Sequence, residues 1–443
     1  MSEPIAARAS GLDVDAERRH PEYQALKSRL HAELLDSVHL HRLSGLRREQ
    51  AEPELRSVVH RMIERESVPL NAGERAALVT DVLDELFGLG PLESLFSDPT
   101  VSDVLVNRHD QVYVERHGKL EPTAVVFRDA GHLTQIIERI VSAVGRRVDE
   151  SSPMVDARLP DGSRVNAILP PLAVDGPVLS IRRFGTERMT ADQLVERGTL
   201  TQPMLDFLRA AVAARLNVIV SGGTGSGKTT LLNVLSGFVS DAERIITIED
   251  AAELMLRQRH VVRLETRRPN VEGKGVVRQR ELVVNALRMR PDRIIVGEVR
   301  GDEALDMLQA MNTGHDGSLT TIHANSPRDA IYRLDTMVAM ANLNIPERAV
   351  RAQIASTVDL LVHTARLSDG TRRVTSVTGI AGTEGDVITL EDIFRFDRTG
   401  LSASGSVRGR FRGTGIRPAC AARLTSLGYA LPPAMFDHVV AVE

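Results

Sequence analysis

The sequence lacks several features that would place it in a specialised class of proteins. It has one cysteine, Cys420, so no internal disulfide can form and no second thiolate is present to build a metal site. No apolar run approaches the ~20 residues that a membrane-spanning helix needs, and the first residues lack the apolar core of a secretion signal. These absences predict a cytoplasmic protein that, if it works at a membrane, lies on its surface.

Strong charge and abundant aromatic residues are also missing. The formal net charge is -4 and aromatic residues make up 3% of the chain, so neither a general attraction to nucleic acid nor a base-stacking surface is expected. Apolar residues at 42% and charged residues at 26% are typical of a folded globular protein. A chain of 443 residues is too long for one compact core, so we expect two or three domains.

Hydrophobic periodicity divides the first part of the chain. Residues 1–20 are small and polar and predict a flexible N-terminus. Apolar residues at helical spacing predict a helical bundle over 21–90, with one helix capped by Asn71 and Glu74. The bundle is either a docking module for another protein or a packing and oligomerisation element.

Alternation with period two follows and predicts an α+β domain over 91–185. Asp129 is expected to open its helix, and residues 160–163 to form the turn of a hairpin. The other expected strands are 101–107, 111–118, 124–127 and 179–184. A polar linker over 186–200, with a helical turn capped at Thr190, leads to a third domain over 201–443 that ends in a strand-rich or irregular appendix.

The third domain opens with a short apolar run that leads into a glycine-rich turn, NVIVSGGTGSGKTT at 217–230. Its spacing is that of a phosphate-binding loop, in which small residues let backbone N–H groups surround a triphosphate. Lys228 supplies a cation for the β and γ phosphates, and Thr229 a hydroxyl for Mg²⁺. The predicted ATP-binding residues are Gly222, Gly223, Thr224, Gly225, Ser226, Gly227, Lys228, Thr229 and Thr230.

Strands and helices alternate after this loop, which predicts an α/β fold with a mostly parallel sheet covered on both faces. Ligands of such sheets bind at the carboxyl ends of the strands. Acidic and basic residues follow two predicted strands at that edge, namely Glu249, Asp250, Glu298 and Arg300. The sequence therefore places its charged candidates beside the loop.

Glu298 is the first candidate to act on the metal through water or to orient the attacking water. The apolar run 294–296 ends in Gly297 and Glu298, where loops of this kind usually have an aspartate. Glu249 and Asp250 are competitors for the same role. The alternative for the two glutamates is an ion pair with Arg300 or Arg244.

His315 and His323 lie eight residues apart in the stretch TGHDGSLTTIHANSP. The close helical pairing of metal-binding histidines is missing, so a metal site is weakly supported. A neutral histidine beside the γ phosphate could respond to hydrolysis, and His323 is the better candidate. A structural role is the alternative for both.

Four stretches together resemble the secretion motor ATPases, and specifically the CpaF/TadA type of tight-adherence (Flp) pilus machines. They are GGTGSGKTT, ITIEDAAEL, RMRPDRIIVGEVRG and TGHDGSLTTIHANSPRDAIYRL, in that order. In that family they are the Walker A loop, an acidic box, an atypical Walker B box with glutamate, and a histidine box. The similarity continues through 154–184 and LEDIFRF. It implies a RecA-like P-loop ATPase domain over 201–443.

The resemblance also implies a function. Members of this family form hexameric rings on the cytoplasmic side of the inner membrane, held there through a membrane platform protein. ATP and Mg²⁺ drive an N-terminal domain against the RecA-like domain and power pilus assembly, retraction or export. Two alternatives stay open, a RecA-like nucleic-acid translocase and a nucleotide-gated scaffold with little turnover. We expect no nucleic-acid partner.

Arginines at the end of the α+β domain are candidates to carry the motion. Arg158, Arg164, Arg182 and Arg183 lie on or beside predicted strands. Because consecutive strand residues face opposite ways, at least one of Arg182 and Arg183 is expected to face the linker and the nucleotide. A guanidinium there would bind ATP more strongly than ADP, whereas surface ion pairs are the alternative.

Overall fold

The computed structural model describes residues 21–37, 48–66, 68–183, 189–269, 274–341 and 345–442. The chain forms two compact units, Met1–Gly185 and Thr186–Glu443. The segment expected to be flexible, 1–20, lies outside the described residues. No helix within the described ranges is long and apolar enough to cross a membrane.

Among the described residues, three helices form the first part of the first unit and share a core of their own. They are α1 (Pro21–Ser37), α2 (Arg48–Arg65) and α3 (Ala72–Phe87). Leu30, Val59 and Val82 are completely buried in this core. Helix α3 begins at its predicted cap, because the side chain of Asn71 accepts the N–H of Glu74 and the Glu74 carboxylate accepts the N–H of Asn71.

A second core of the first unit lies under a six-stranded antiparallel sheet with the order β3-β2-β1-β6-β5-β4. The strands are β1 (Val101–Arg108), β2 (Gln111–Arg116), β3 (Lys119–Pro122), β4 (Met154–Arg158), β5 (Arg164–Ile168) and β6 (Val178–Arg182), preceded by the short helix α4 (Glu93–Ser97). Helix α5 (Ala130–Ala143) is capped by Asp129, as predicted, and buries Ile136, Ile137 and Ile140 in this core. The predicted hairpin is also present as β4 and β5.

The strand predicted over 124–127 is absent, so this prediction is wrong. The edge of the sheet is β3 instead, and the chain then leaves the sheet. The N–H of Phe127 bonds to the carbonyl of His109 at 2.7 Å, and its ring is buried in the core. Burial of this ring outweighs the strand propensity of the two preceding valines.

The predicted linker contributes to the second unit. Residues 186–188 lie outside the described part, and α6 (Ala191–Glu196) follows with the predicted cap at Thr190. Leu194 and Leu200 are buried in the core of the second unit. The segment from 189 onward therefore packs with that unit.

A ten-stranded sheet with the order β16-β15-β14-β13-β12-β7-β11-β10-β8-β9 organises the second unit. The strands from β12 to β9 in this order are parallel, and β13 to β16 are antiparallel additions. The strands are β7 (Val218–Gly222), β8 (Ile245–Glu249), β9 (Val261–Glu265), β10 (Arg293–Val299), β11 (Leu319–His323), β12 (Leu360–Arg366), β13 (Arg372–Glu384), β14 (Val387–Leu401), β15 (Val407–Gly413) and β16 (Val439–Val442).

Helices cover the two faces of this sheet, as the alternation of elements predicts. Along β7, Val218 and Val220 enter one core and Ile219 enters the other. The helices are α7 (Gln202–Ala213), α8 (Lys228–Ser236), α9 (Gln279–Ala286), α10 (Glu303–Asn312), α11 (Pro327–Ala339), α12 (Glu347–Thr357), α13 (Ala421–Ser426) and α14 (Pro433–Phe436). The C-terminal segment is rich in strands, as expected, and these strands extend the same sheet.

Candidate active site

The carboxyl ends of the parallel strands meet at one edge of the large sheet. Strand β7 ends at Gly222, where the glycine-rich loop begins, and β11 ends at His323, which is the register partner of Gly222. Strand β8 ends at Glu249, and Glu298 is the penultimate residue of β10. The fold thus brings the loop, the glutamates and His323 to the same edge.

The conformation of the loop explains its glycines. Gly225 and Gly227 have φ values of 68° and 94°, in the left-handed region that other residues rarely adopt. A Cβ on Gly222 would lie 2.3 Å from the carbonyl oxygen of Thr364, so no side chain fits there. The loop packs closely and turns tightly, as a phosphate cradle requires.

Lys228 and the residues after it form the first turn of α8. The Nζ atom of Lys228 donates a hydrogen bond to the carbonyl of Gly223 at 2.9 Å, so the ammonium lies over the loop. Thr229 and Thr230 follow on the first turn, where backbone N–H groups have no partner within the helix. Such a terminus favours an anionic ligand.

Glu249 is buried, with 3% of its surface exposed. Its Oε2 accepts the backbone N–H groups of Glu253 and Leu254 at 2.8 and 2.9 Å, whereas Oε1 has no hydrogen-bond partner among the described residues. Burial raises the pKa of Glu249 to about 7, although the two N–H groups oppose this shift. The carboxyl group therefore changes charge near neutral pH.

Glu298 lies in a different environment. Its Oε2 accepts two hydrogen bonds from the guanidinium of Arg300, at 3.0 and 2.6 Å, and Arg300 also reaches Asp250 at 3.3 Å. The ion pair with Arg300, which the sequence left open, is thus present. Arg244 bonds instead to His260 and to the carbonyl of Met289.

The two histidines are separated by the length of a strand. His323 ends β11 beside the loop, and its pKa is lowered by burial and then by the charge of Lys228, while Glu298 opposes the shift. The ring is therefore neutral at pH 7. His315 precedes β11 at the other edge of the sheet, where its carbonyl accepts the hydroxyl of Ser318 at 2.9 Å. Its position favours a structural role.

The residues beside the loop are suited to hold a magnesium ion together with a nucleotide. No group of at least three histidine, cysteine, aspartate or glutamate side chains that could hold a metal occurs in the described part of the chain. Mg²⁺ commonly takes one or two protein ligands and completes its shell with phosphate oxygens and water. The hydroxyl of Thr229, in the first turn of α8, and the carboxylate of Glu298 are suited to that arrangement.

The two arginines at the end of the first unit have separate surroundings. Arg182 pairs with Asp103 at 3.2 Å, and 59% of its side chain is exposed. Arg183 donates to the carbonyls of Phe96 and Val101 at 2.8 and 3.2 Å, and also to that of Asp98. Arg183 therefore bonds to the backbone of its own unit.

Several residues near the loop give no signal in the sequence. His363, on β12, is buried and its Nδ1 lies 2.9 Å from the hydroxyl oxygen of Ser221. Thr364 and Arg372 bond to carbonyls of the loop. They follow the loop by more than a hundred residues, and only the pairing of β12 with β7 brings them close.

Several known proteins are similar to this chain. A protein of Mycobacterium tuberculosis named for conjugal transfer is 41% identical over 309 residues, which cover 68% of this chain and 87% of that protein. The type IV secretion system protein VirB11 of Brucella suis is 32% identical over 315 residues, which cover 65% and 87%. The crystal structure of the Brucella suis VirB11 ATPase with sulphate is 31% identical, covers 65% of this chain and 95% of that chain, and gives a TM-score of 0.36.

The family described as "Type II/IV secretion system protein" matches residues 85–392, which include the phosphate loop, both glutamates and His323. Enzymes of this family hydrolyse ATP. With its RecA-like core and preceding N-terminal domain, this chain belongs to the type II/IV secretion system ATPase family.

Proposed function

We propose that this chain is a mechanical motor. ATP hydrolysis in the second unit would move the first unit within a hexameric ring, and so power assembly or retraction of a pilus or secretion across the inner membrane. The observation that carries the proposal is the convergence of Lys228, Glu298 and His323 at one edge of the sheet, where burial and then the charge of Lys228 lower the pKa of His323 and Glu298 opposes that shift. A histidine that interacts with both of these charges is suited to couple hydrolysis to movement.

The loop residues divide the work of binding. Lys228 would exchange the carbonyl of Gly223 for the β and γ phosphates, and the N–H groups of 223–230 would surround them. Thr229 would hold Mg²⁺ directly, and Glu298 would act on it through water. The metal neutralises the charge that develops on the transferred phosphoryl group.

Two glutamates are candidates to position the attacking water. Glu298 lies at the carboxyl end of β10 and is held there by Arg300, a position from which it can polarise the attacking water. Glu249 is the competitor, and with a pKa of about 7 only part of its population is charged at neutral pH. Among the arginines, Arg182 is the better candidate for the γ phosphate, because Arg183 donates to the backbone carbonyls of Phe96, Asp98 and Val101.

The setting of the motor follows from the resemblance to CpaF/TadA-type pilus ATPases and from the names of the relatives. We propose a cytoplasmic location at the inner membrane, with binding through a platform protein. One relative is named for conjugal transfer and another for type IV secretion. The low aromatic content of 3% supports work on a protein rather than on nucleic acid.

The test measures the oligomeric state of the purified protein and the effect of DNA on its ATP turnover. With a non-hydrolysable ATP analogue, light scattering at micromolar concentration should give the mass of six chains. ATP turnover should not change when single- or double-stranded DNA is added. A monomer under these conditions contradicts the ring, and strong stimulation by DNA identifies a nucleic-acid translocase instead.

A further inference from the structure

The hairpin of β12 and β13 supports the phosphate loop from a distant part of the sequence. Arg366 and Arg372 are cross-strand partners at its closed end. The Nε of Arg372 donates to the carbonyl of Gly225 at 3.1 Å, and the hydroxyl of Thr364 donates to the carbonyl of Ser226 at 2.9 Å. One hairpin thus holds two consecutive carbonyls of the loop.

Holding these carbonyls also orients the amides that follow them. In a trans peptide the C=O and N–H groups point in opposite directions, because the unit is planar. Fixing the carbonyls of Gly225 and Ser226 therefore fixes the directions of the N–H groups of Ser226 and Gly227. Both glycines have left-handed φ values and are flexible by nature, so an external support reduces the freedom that phosphate binding would otherwise have to remove.

The support is itself anchored. Within the turn of the hairpin, Asp369 accepts the N–H and hydroxyl of Thr371 at 3.0 and 2.7 Å, and it also accepts the N–H of Val407 on β15 at 2.7 Å. Burial acts to raise the pKa of Asp369, but these hydrogen bonds hold it below the usual value. The carboxylate therefore stays charged near neutral pH and ties the turn of the hairpin to β15.

We propose that Arg372 and Thr364 are positioning residues that keep the phosphate loop in its binding shape. They act through the carbonyls of Gly225 and Ser226 rather than on the γ phosphate. ATP and ADP share the β phosphate that such a loop surrounds, so both nucleotides gain equally from the support. The proposal rests on nucleotide binding at the loop and holds whether the motor drives a pilus or an export machine.

The test measures the affinity of the full chain for ADP and for a non-hydrolysable ATP analogue by calorimetric titration. Arg372→Ala should weaken both about tenfold, the loss of roughly one charge-assisted hydrogen bond, and leave the ratio of the two affinities unchanged. KM for ATP should rise with the dissociation constant while kcat stays within about twofold. Arg348→Ala is the matched control, because its side chain is 85% exposed on α12.

Thr364→Val gives an independent arm, since it removes the hydroxyl and nearly keeps the volume. It should weaken both nucleotides several-fold, and it decides the question if Arg372→Ala fails to fold. Unchanged affinities in Thr364→Val and in a folded Arg372→Ala overturn the proposal. Weakening of the ATP analogue alone also overturns it, because that result would place the guanidinium on the γ phosphate.

Discussion

The site contains two glutamates with different surroundings. Glu249 is buried, and one of its carboxylate oxygens accepts hydrogen bonds from backbone N–H groups, whereas Glu298 forms an ion pair with Arg300. The carboxyl group of Glu249 therefore titrates near neutral pH, whereas that of Glu298 is paired with a guanidinium. This contrast makes their roles separable by experiment.

Glu298→Gln should keep nucleotide affinity and lose turnover by about a hundredfold or more, because it preserves shape and removes the charge that polarises water. Turnover and ADP affinity of the purified variants measure this. Glu249→Gln is the comparison. If Glu249→Gln is inactive and Glu298→Gln turns over normally, the two roles are reversed.

The raised pKa of Glu249 predicts a pH-dependent stability. The folded protein holds this proton up to about pH 7, whereas an exposed glutamate releases it near pH 4.5. The stabilisation that this bound proton gives the folded protein is complete below pH 4.5 and is lost as the pH rises through about 7. Between pH 5 and 8 the wild-type melting temperature should fall relative to that of Glu249→Gln. Parallel melting curves would show that burial does not control this group.

The arginines at the end of the first unit should differ in their effects. Arg183→Ala removes bonds to three backbone carbonyls and should lower the free energy of unfolding by about 2 kcal/mol. Arg182→Ala removes one exposed ion pair and should leave stability unchanged but lower turnover strongly. Thermal melts and ATPase assays of both variants and of the double variant check this. Near-normal turnover in all three rejects the coupling.

At the scale of elements, local patterns predicted the site better than its supports. Two apolar runs form strands, as their pattern predicts. One leads to Gly222 and the other to Glu298. The strand predicted over 124–127 is absent because the chain leaves the sheet there and buries the ring of Phe127. The contacts of Arg372 with the phosphate loop depend on strand pairing across a long sequence separation, which no spacing encodes.

Arg293 is such a hidden support, at the start of β10. Its side chain is completely buried and donates to both carboxylate oxygens of Glu243 at 2.7 and 3.2 Å, and to the carbonyls of Val212 and Gly317. Arg293→Ala should lower the free energy of unfolding by about 3–5 kcal/mol, because it leaves Glu243 largely buried without this partner.

Arg215→Ala is the matched control, since Arg215 pairs with the same Glu243 at 2.8 Å but is 44% exposed. Its loss should cost at most about 1 kcal/mol. Denaturant titrations of both variants measure the difference. Equal losses would show that burial of Arg293 adds nothing.

At the scale of the whole molecule, the chain joins two units with separate cores, and the residues of the candidate nucleotide site belong to the second. The length of the chain predicted two or three domains, and the four motifs predicted the secretion ATPase family, of which the CpaF/TadA type remains a proposal. The ring and the cargo require other chains, so they remain proposals. ATP hydrolysis can be tested with the purified chain alone.

The most direct test is the rate of ATP hydrolysis by the purified chain with Mg²⁺, compared with that of Lys228→Ala. Lys228 lies over the loop, and no other residue of the loop carries a positive charge for the β and γ phosphates. The wild-type protein should hydrolyse ATP, and the variant should lose binding or at least about a hundredfold in turnover while keeping its melting temperature. Hydrolysis by Lys228→Ala at the wild-type rate would contradict an ATPase site at this loop.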